Sequence, residues 1–578
     1  GFPALHAAIR CLLCLLGIVA ILLTVFRRRH FQRRVSTSIT FNLEQYDISE
    51  RHGFLPAKPL HRLPARFEAW EAIIDSLPLL NRSDGLADCV RSMPAIEIDG
   101  SMTPNELRRA YVVLGMMVHS YVNGPSVPWE QLEGGKARKS SAASAPCRTP
   151  DGVAIVPSPL AVPWHTVCTR LGLPCVLTAC GVDMWNWTVK QPSAAQGSNG
   201  KVSSRTTPLL THMRSKAEKV SRSKSGGESE RGRGNGWSVD FEVSDLLSLG
   251  PPDRLLTSLT CISTMTGTAS EVAFHMMPCA MHAAAAPIWP ELLALPDVLL
   301  SASSAAGVPG LEQAALEAAV QCCSTMLAQL TTLFNTFYTL FQRVFDGVDI
   351  DMFYNVYRPL LGGFWPDGLF LEGVAAAGRS GSGGEMKGPG SIHKGKGPSA
   401  GQSTMVVLFD CILGVPHKDG SDAAAFQREM AQYMPEPHRR LVLDYQKRVG
   451  KSGSVRDFIA QAAAQAHAGA AGAGSGGGSG LGSVSSLEVP YNDCVKALSR
   501  FRSWHLHVAS KYLGGKTKYG TGTSTFHDLL QETIAHTNAS KVPLTCTGPG
   551  GGIGAVNPHA TRPRGQLGKV AADVQTGT

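Results

Sequence analysis

At 578 residues, with 43% hydrophobic and 17% charged side chains, the chain is long enough for two or three ordinary domains and has the balance of a globular protein. Its net charge of +9 is localised: residues 1–43 hold six arginines and no acid, and residues 188–236 hold ten Lys or Arg against three Glu, so the rest sums to −4. Apart from Phe31 no aromatic residue interleaves with the basic runs, which argues against nucleic-acid binding as the main function. The 14 cysteines show neither paired-CxxC zinc spacing nor compact disulfide spacing, and read as buried free thiols of a reducing compartment.

In chain order, residues 1–40 form a leader whose run Cys11 to Phe26 is apolar and uncharged, followed by an arginine-rich stretch. Membrane anchor, organelle-targeting segment and mispredicted gene start are all open readings of it. Residues 41–187 then read as a small helical N-terminal domain, interrupted by a polar stretch from about Glu133 to Asp151. Residues 188–236 are Ser-, Lys-, Gly- and Arg-rich and read as a disordered basic insertion. Residues 237–540 form a larger helical domain, with apolar residues at three- and four-residue steps over 315–340, 424–434 and 490–513. Low-complexity insertions are expected at about 375–397 and 461–486, and a disordered tail over 541–578. Strand-like alternation is scarce, so the expected fold class is all-α.

The most informative segment is the last of these helices. Asn492 is a candidate N-cap and Gly514-Gly515 a stop. Leu498, Phe501, His505, Val508 and Tyr512 follow steps of 3, 4, 3 and 4 and form one apolar stripe, while His507 points elsewhere. A histidine in such a stripe is either a satisfied core residue or the single imidazole ligand of an iron held in a planar, apolar cofactor. Arg502, one turn earlier, is placed to pair with a carboxylate of such a cofactor.

The run Cys494-Val-Lys-Ala-Leu, then Arg502-Ser-Trp-His505 and Lys511-Tyr512, resembles the proximal-histidine helix of the indoleamine 2,3-dioxygenase family. Further blocks occur in that family's order: Tyr46-Asp-Ile-Ser49, Gly53-Phe-Leu-Pro56, Trp185-Asn186-Trp187, Thr266-Gly267-Thr268 with Glu271 and Phe274, Phe353-Tyr-Asn-Val-Tyr-Arg358, Ser399-Ala-Gly-Gln-Ser403 with Asp410, Tyr433-Met-Pro435, Ser454-Val-Arg-Asp-Phe458 and Gly520-Thr-Gly522. The insertions fall between these blocks, as loop insertions should.

The resemblance implies a haem b enzyme that inserts both atoms of O2 across the indole C2–C3 bond of L-tryptophan, giving N-formylkynurenine, with an external reductant and a monomeric, cytoplasmic protein. It implies His505 as proximal iron ligand. Ser399, Ala400, Asp410 and Arg502 would lie on the haem side, and Phe274, Phe353, Tyr354, Arg358 and Thr521 on the substrate side. The residue chemistry agrees: an indole needs aromatic walls and an amino-acid carboxylate needs a guanidinium fork. Tyr354 and Arg358 are i and i+4, so they share one helix face, and Pro359 puts Arg358 at the helix end.

The chain departs from the family in the distal wall. Ala179-Cys180-Gly181 stands where the family has Tyr-Ala-Asp, Pro278 where many members carry a serine, and His282 at a glutamate position. Pro278 is expected to kink its helix. These changes bear on substrate choice and turnover more than on haem binding. They leave two further readings: a dioxygenase for another indoleamine, and an oxygen-binding haem protein of the same fold, as some relatives are myoglobins. A third is a helical scaffold in which His505 is merely structural.

Overall fold

The computed structural model describes residues 42–83, 85–129, 146–190, 252–305, 312–364, 366–375, 390–417, 420–471 and 484–544. The leader, most of the basic insertion (191–236) with residues 237–251, parts of the other expected insertions (130–145, 376–389 and 472–483) and the tail from residue 545 lie outside the described residues.

The fold is all-α, as expected. In the N-terminal part, α1 (Glu68–Ser83) packs on α2 (Pro104–Asn123), and α2 packs on α3 (Ser158–Leu171). Helix α2 starts at a capping box: Thr103 accepts from the Glu106 amide while the Glu106 carboxylate accepts from the Thr103 amide. Its middle is buried on nearly every side, from Ala110 to Tyr121. A buried ion pair ties α1 to α2, with Arg109 donating to both oxygens of Glu71 at 3.0 and 2.6 Å and to Ser263 Oγ at 2.8 Å.

In the C-terminal part, α4 (Ala269–Ala285) and α5 (Trp289–Ser304) lead to the long α6 (Glu312–Gln342). Then come α7 (Thr404–Leu413), α8 (Asp422–Met430), α9 (Glu436–Ser452), α10 (Val455–Ala471), α11 (Glu488–Leu513) and α12 (Phe526–Ala539). Helix α11 lies along α6 and is backed by α12. Phe334 and Phe337 of α6 meet Phe409 of α7, which stacks on Trp289 at 5.4 Å.

Short strands stitch distant segments together: β1 (Ala154–Val156), β2 (Trp187–Val189), β3 (Leu259–Cys261), β4 (Leu369–Glu372) and β5 (Gly390–His393). β1 runs parallel to β4, β4 antiparallel to β5, and β2 antiparallel to β3. The boundary expected at residue 187 is thus crossed by two sheets, and one hydrophobic core runs continuously through both parts.

Four sequence expectations need correction. Thr188 and Val189 belong to β2, not to the insertion, because they pair with Thr260 and Leu259. Residues 390–397 are structured: Gly390 is required because a Cβ there would come 2.2 Å from the Phe370 ring. The alanine-rich stretch after residue 461 continues α10 to Ala471, as expected of the strongest helix former. Asn492 caps nothing. Helix α11 begins four residues earlier, and the Asn492 amide instead exchanges hydrogen bonds with the Val542 backbone at 2.9 and 3.0 Å. Pro278 lies inside α4, which continues through it and loses the amide that would have bonded the Phe274 carbonyl. Among the described residues every cysteine is a free thiol and most are buried, in line with the sequence reading.

Candidate active site

The stripe on α11 forms as its spacing predicts. Leu498, Val508 and Tyr512 are buried, and Phe501 and His505 are half-buried against α6. The His505 ring lies edge-on to Phe341 at 5.3 Å and, among the described residues, makes no hydrogen bond. Burial holds its imidazole down at about 4, and the Arg502 charge adds to this, so the ring is neutral with a lone pair available. His507 is exposed and stacks on Trp504 at 4.8 Å. A neutral, unpartnered imidazole among aromatic side chains fits an iron-bearing planar cofactor; a core histidine would carry a hydrogen-bond partner.

Arg502 is buried, and its two terminal nitrogens are already taken: one donates to Asp410 Oδ1 at 2.6 Å, the other to Thr537 Oγ1 at 2.5 Å. The second Asp410 oxygen faces His417 Nε2 at 2.9 Å and accepts from Gln427 at 3.3 Å. Burial alone would raise the Asp410 carboxyl, but Arg502 and His417 outweigh it and hold it below the usual range. Arg502 therefore serves the helix pair α11 and α12 and carries the charge nearest His505, and a direct contact to a haem carboxylate is not what its fork makes here.

On the other side, Phe353 and Tyr354 lie in a π-helical turn, Met352–Tyr357, that leads into Arg358. Phe353 packs on Phe274 at 4.8 Å and on Tyr512, seven residues beyond His505 on the same stripe, at 5.5 Å. The predicted aromatic pair thus meets against the histidine helix. Tyr354 and Arg358 are neighbours, with the guanidinium 5.7 Å from the ring centre. Tyr354 donates to the Lys516 carbonyl at 3.1 Å and Arg358 to the Tyr519 carbonyl at 2.7 Å. Arg358 Nε is buried without a partner, and among the described residues no carboxylate pairs with this side chain. Burial pulls its pKa below the usual arginine range.

The segment Lys516–Thr525 therefore lies over Tyr354 and Arg358, and its far side touches the small-residue loop. The Thr521 hydroxyl donates to the Pro398 carbonyl, and a Cβ on Gly522 would come 3.1 Å from Ser399. Thr523 holds a left-handed backbone, φ 59°, unusual for a β-branched residue. Ser399 caps the turn Ala400–Gln402, in which Ala400 itself is exposed. Gln402 then donates to the Gly397 carbonyl and accepts from the Ala179 amide, both at 2.9 Å.

Gln402 so connects the loop to the departing distal segment. There Gly181 has no room for a side chain, since a Cβ would lie 2.7 Å from the Tyr111 ring. Asp183 and His275 form a buried pair at 2.7 Å, and His275 lies edge-on to Tyr357 at 5.3 Å with its Nε2 unpartnered. Burial raises the Asp183 carboxyl, against the pull of His275. His119 links the same segment to the Arg358 turn: its Nε2 accepts from the Leu177 amide at 2.9 Å, so Nδ1 carries the proton and donates to the Leu360 carbonyl at 3.0 Å.

The sequence reading missed Gln402, His119, Asp183, His275 and the Tyr519 carbonyl. Gln402 lies inside a block singled out for its glycine and serine, so its neighbours were the signal. The others depend on tertiary neighbours far apart in the chain.

A family model described as indoleamine 2,3-dioxygenase matches residues 42–219 and 248–552. Similar proteins include a 6-hydroxytryptophan 2,3-dioxygenase of Fusarium equiseti, 27% identical over 481 residues, covering 82% of this chain and 85% of that protein. The indoleamine 2,3-dioxygenase 2 of Homo sapiens is 25% identical over 494 residues, 84% of this chain and 88% of its own. A myoglobin of Haliotis diversicolor is 24% identical over 478 residues, 82% of this chain and 89% of its own. With the family match spanning most of the described helices and the contacts around His505 and Arg358, the chain belongs to the indoleamine 2,3-dioxygenase family and is of the indole dioxygenase class.

Proposed function

We propose that the protein is a haem-dependent dioxygenase that converts L-tryptophan and O2 to N-formylkynurenine. The observation that carries this is Arg358: a half-buried guanidinium with an unpaired Nε and, among the described residues, no carboxylate beside it, one turn from aromatic side chains that meet the His505 helix. An oxygen store needs no such cation, whereas an amino-acid substrate brings the missing anion.

His505 would hold haem b from the proximal side, and bound haem would supply the oxygen activation. The chain's own residues then bind and orient. Phe274 and Phe353 would flank the indole, and Arg358 would fix the carboxylate. Tyr354, through Lys516, and Thr521, through Pro398, would hold the covering segment in place and limit water. Both oxygen atoms end in the product, so turnover consumes no electrons; an external reductant is needed only to keep the iron ferrous. The buried free thiols support a cytoplasmic setting.

A second reading has its own observation. Asp183 and His275 place a polar pair beside Phe274 and Tyr357, and Ala179 leaves the neighbouring wall small. That supports a ring-hydroxylated tryptophan as the substrate, which is also what the Fusarium equiseti relative's name describes.

The test is an assay of the haem-loaded, reduced protein with L-tryptophan and with 6-hydroxytryptophan, following each formylkynurenine product. Formation from tryptophan supports the first reading, and strong preference for the hydroxylated substrate the second. A protein that forms a stable ferrous–O2 complex yet turns over neither is an oxygen binder.

A further inference from the structure

His165 on α3, Cys175 in the loop after α3 and His393 at the end of β5 bring three donor atoms within 4.8 Å of one another. They come from segments more than two hundred residues apart. Cys175 is buried, while both histidines are half-buried and leave a path to solvent. The two imidazoles lie at 65° with ring centres 5.2 Å apart. Ser391 Oγ sits 2.8 Å from His393 Nε2, so one ring nitrogen already has the hydrogen bond that fixes the orientation of a ligating imidazole.

We propose that His165, Cys175 and His393 bind a zinc-class divalent cation, separate from the site around His505. Zinc takes borderline-soft nitrogen and sulfur donors at about 2.0–2.3 Å in a tetrahedron, whose donor atoms lie somewhat under 4 Å apart. The observed spacing closes to that with small side-chain rotations. The fourth position falls to water or to Cys168, which lies one turn from His165 on the same face of α3.

The fold gives the ion a structural role. Beyond His393 the chain returns against the residue after Cys175, since a Cβ on Gly395 would sit 2.8 Å from Val176. It then continues to Lys396, whose amide donates to the Tyr433 hydroxyl, and to Ser399. A bound cation would pin the strand that feeds the Ser399 loop to α3.

The experiment dialyses the purified, reduced full-length protein against Zn2+ and measures bound zinc per chain, with zinc K-edge absorption to identify the donors. Wild type is expected to retain roughly one zinc with one or two sulfur neighbours at about 2.3 Å. Cys175→Ser and His393→Gln should each weaken zinc binding by at least roughly 100-fold, and Ser391→Ala by roughly 10-fold through the lost ring orientation. Thermal unfolding without added metal checks that the variants are folded, and added zinc should raise Tm in wild type and, less, in Ser391→Ala, but not in Cys175→Ser or His393→Gln. Absence of zinc from wild type, sulfur-free coordination, or equal retention by folded His393→Gln would overturn the proposal.

Discussion

The Arg358 guanidinium donates to the Tyr519 backbone carbonyl at 2.7 Å, which couples a half-buried cation with no carboxylate partner among the described residues to the segment that covers it. Replacing Arg358 with Ala should lower kcat/KM for tryptophan by roughly 30- to 1000-fold, the equivalent of about 2–4 kcal/mol for a charge-assisted bidentate contact. Arg358→Lys should recover only part, since it keeps the charge but loses the fork. Tryptamine, which lacks the carboxylate, should lose little between wild type and Arg358→Ala. Haem content should stay unchanged in both variants. Unaltered tryptophan kinetics in Arg358→Ala would remove the carboxylate clamp.

His505→Ala should abolish stoichiometric haem binding while His507→Ala leaves it intact, because only the former lies on the buried stripe. The measurement is bound haem per chain by absorbance after reconstitution. Equal retention in the two variants would disprove the ligand assignment.

Asp410→Ala should destabilise the fold by about 3–5 kcal/mol, since it strands the buried Arg502 charge. Denaturant unfolding checks this, and the double variant with Arg502→Met should be milder than Asp410→Ala alone. Because the folded carboxyl is held below its unfolded value of about 3.9, its contribution is complete above that pH and disappears only as pH falls through the folded value.

A larger acid effect should come from buried histidines. His119, His282 and His438 are each held down at about 4 by burial, and the neighbouring His438 adds to this at His282. Unfolded histidine titrates near 6.5, so between about pH 6.5 and 4 the unfolded chain binds more protons than the folded one. Stability should be complete above this window and fall as pH is lowered through it. Urea midpoints measured across the window check the slope, and a flat profile would contradict neutral burial.

How much was legible in advance follows from what kind of contact each feature is. The His505 stripe, the Tyr354–Arg358 pair and the Phe274–Phe353 contact lie within one helix or rest on motif order, and each contact forms, although the helix runs on through Pro359 to Leu360 instead of ending at Arg358. Asp410 and Arg502 were both placed on the haem side, yet the Arg502 fork was expected at a haem carboxylate and is spent on Asp410 and Thr537. Thr537 lies on another helix, so nothing local announced it. Gly390 looked like part of a low-complexity run, but its lack of a side chain is what lets Phe370 lie on β5. Composition cannot separate a glycine that frees the chain from one that admits a ring. The Leu177 amide and the carbonyls of Leu360 and Tyr519 are backbone partners, which every residue possesses and no side-chain pattern reveals.

The pairing of β1 with β4, and of Tyr46 with Asp444 at a separation of 398 residues, also constrains how the protein is made. At roughly 5–20 residues per second, Tyr46 leaves the ribosome roughly 20–80 s before its partner exists. Through that interval β1 has an unpaired edge, and the buried faces of α2 and α3 lack the C-terminal half of their shared core. Ribosome-bound chains that stop short of β4 should therefore remain protease-sensitive across α2, α3 and β1.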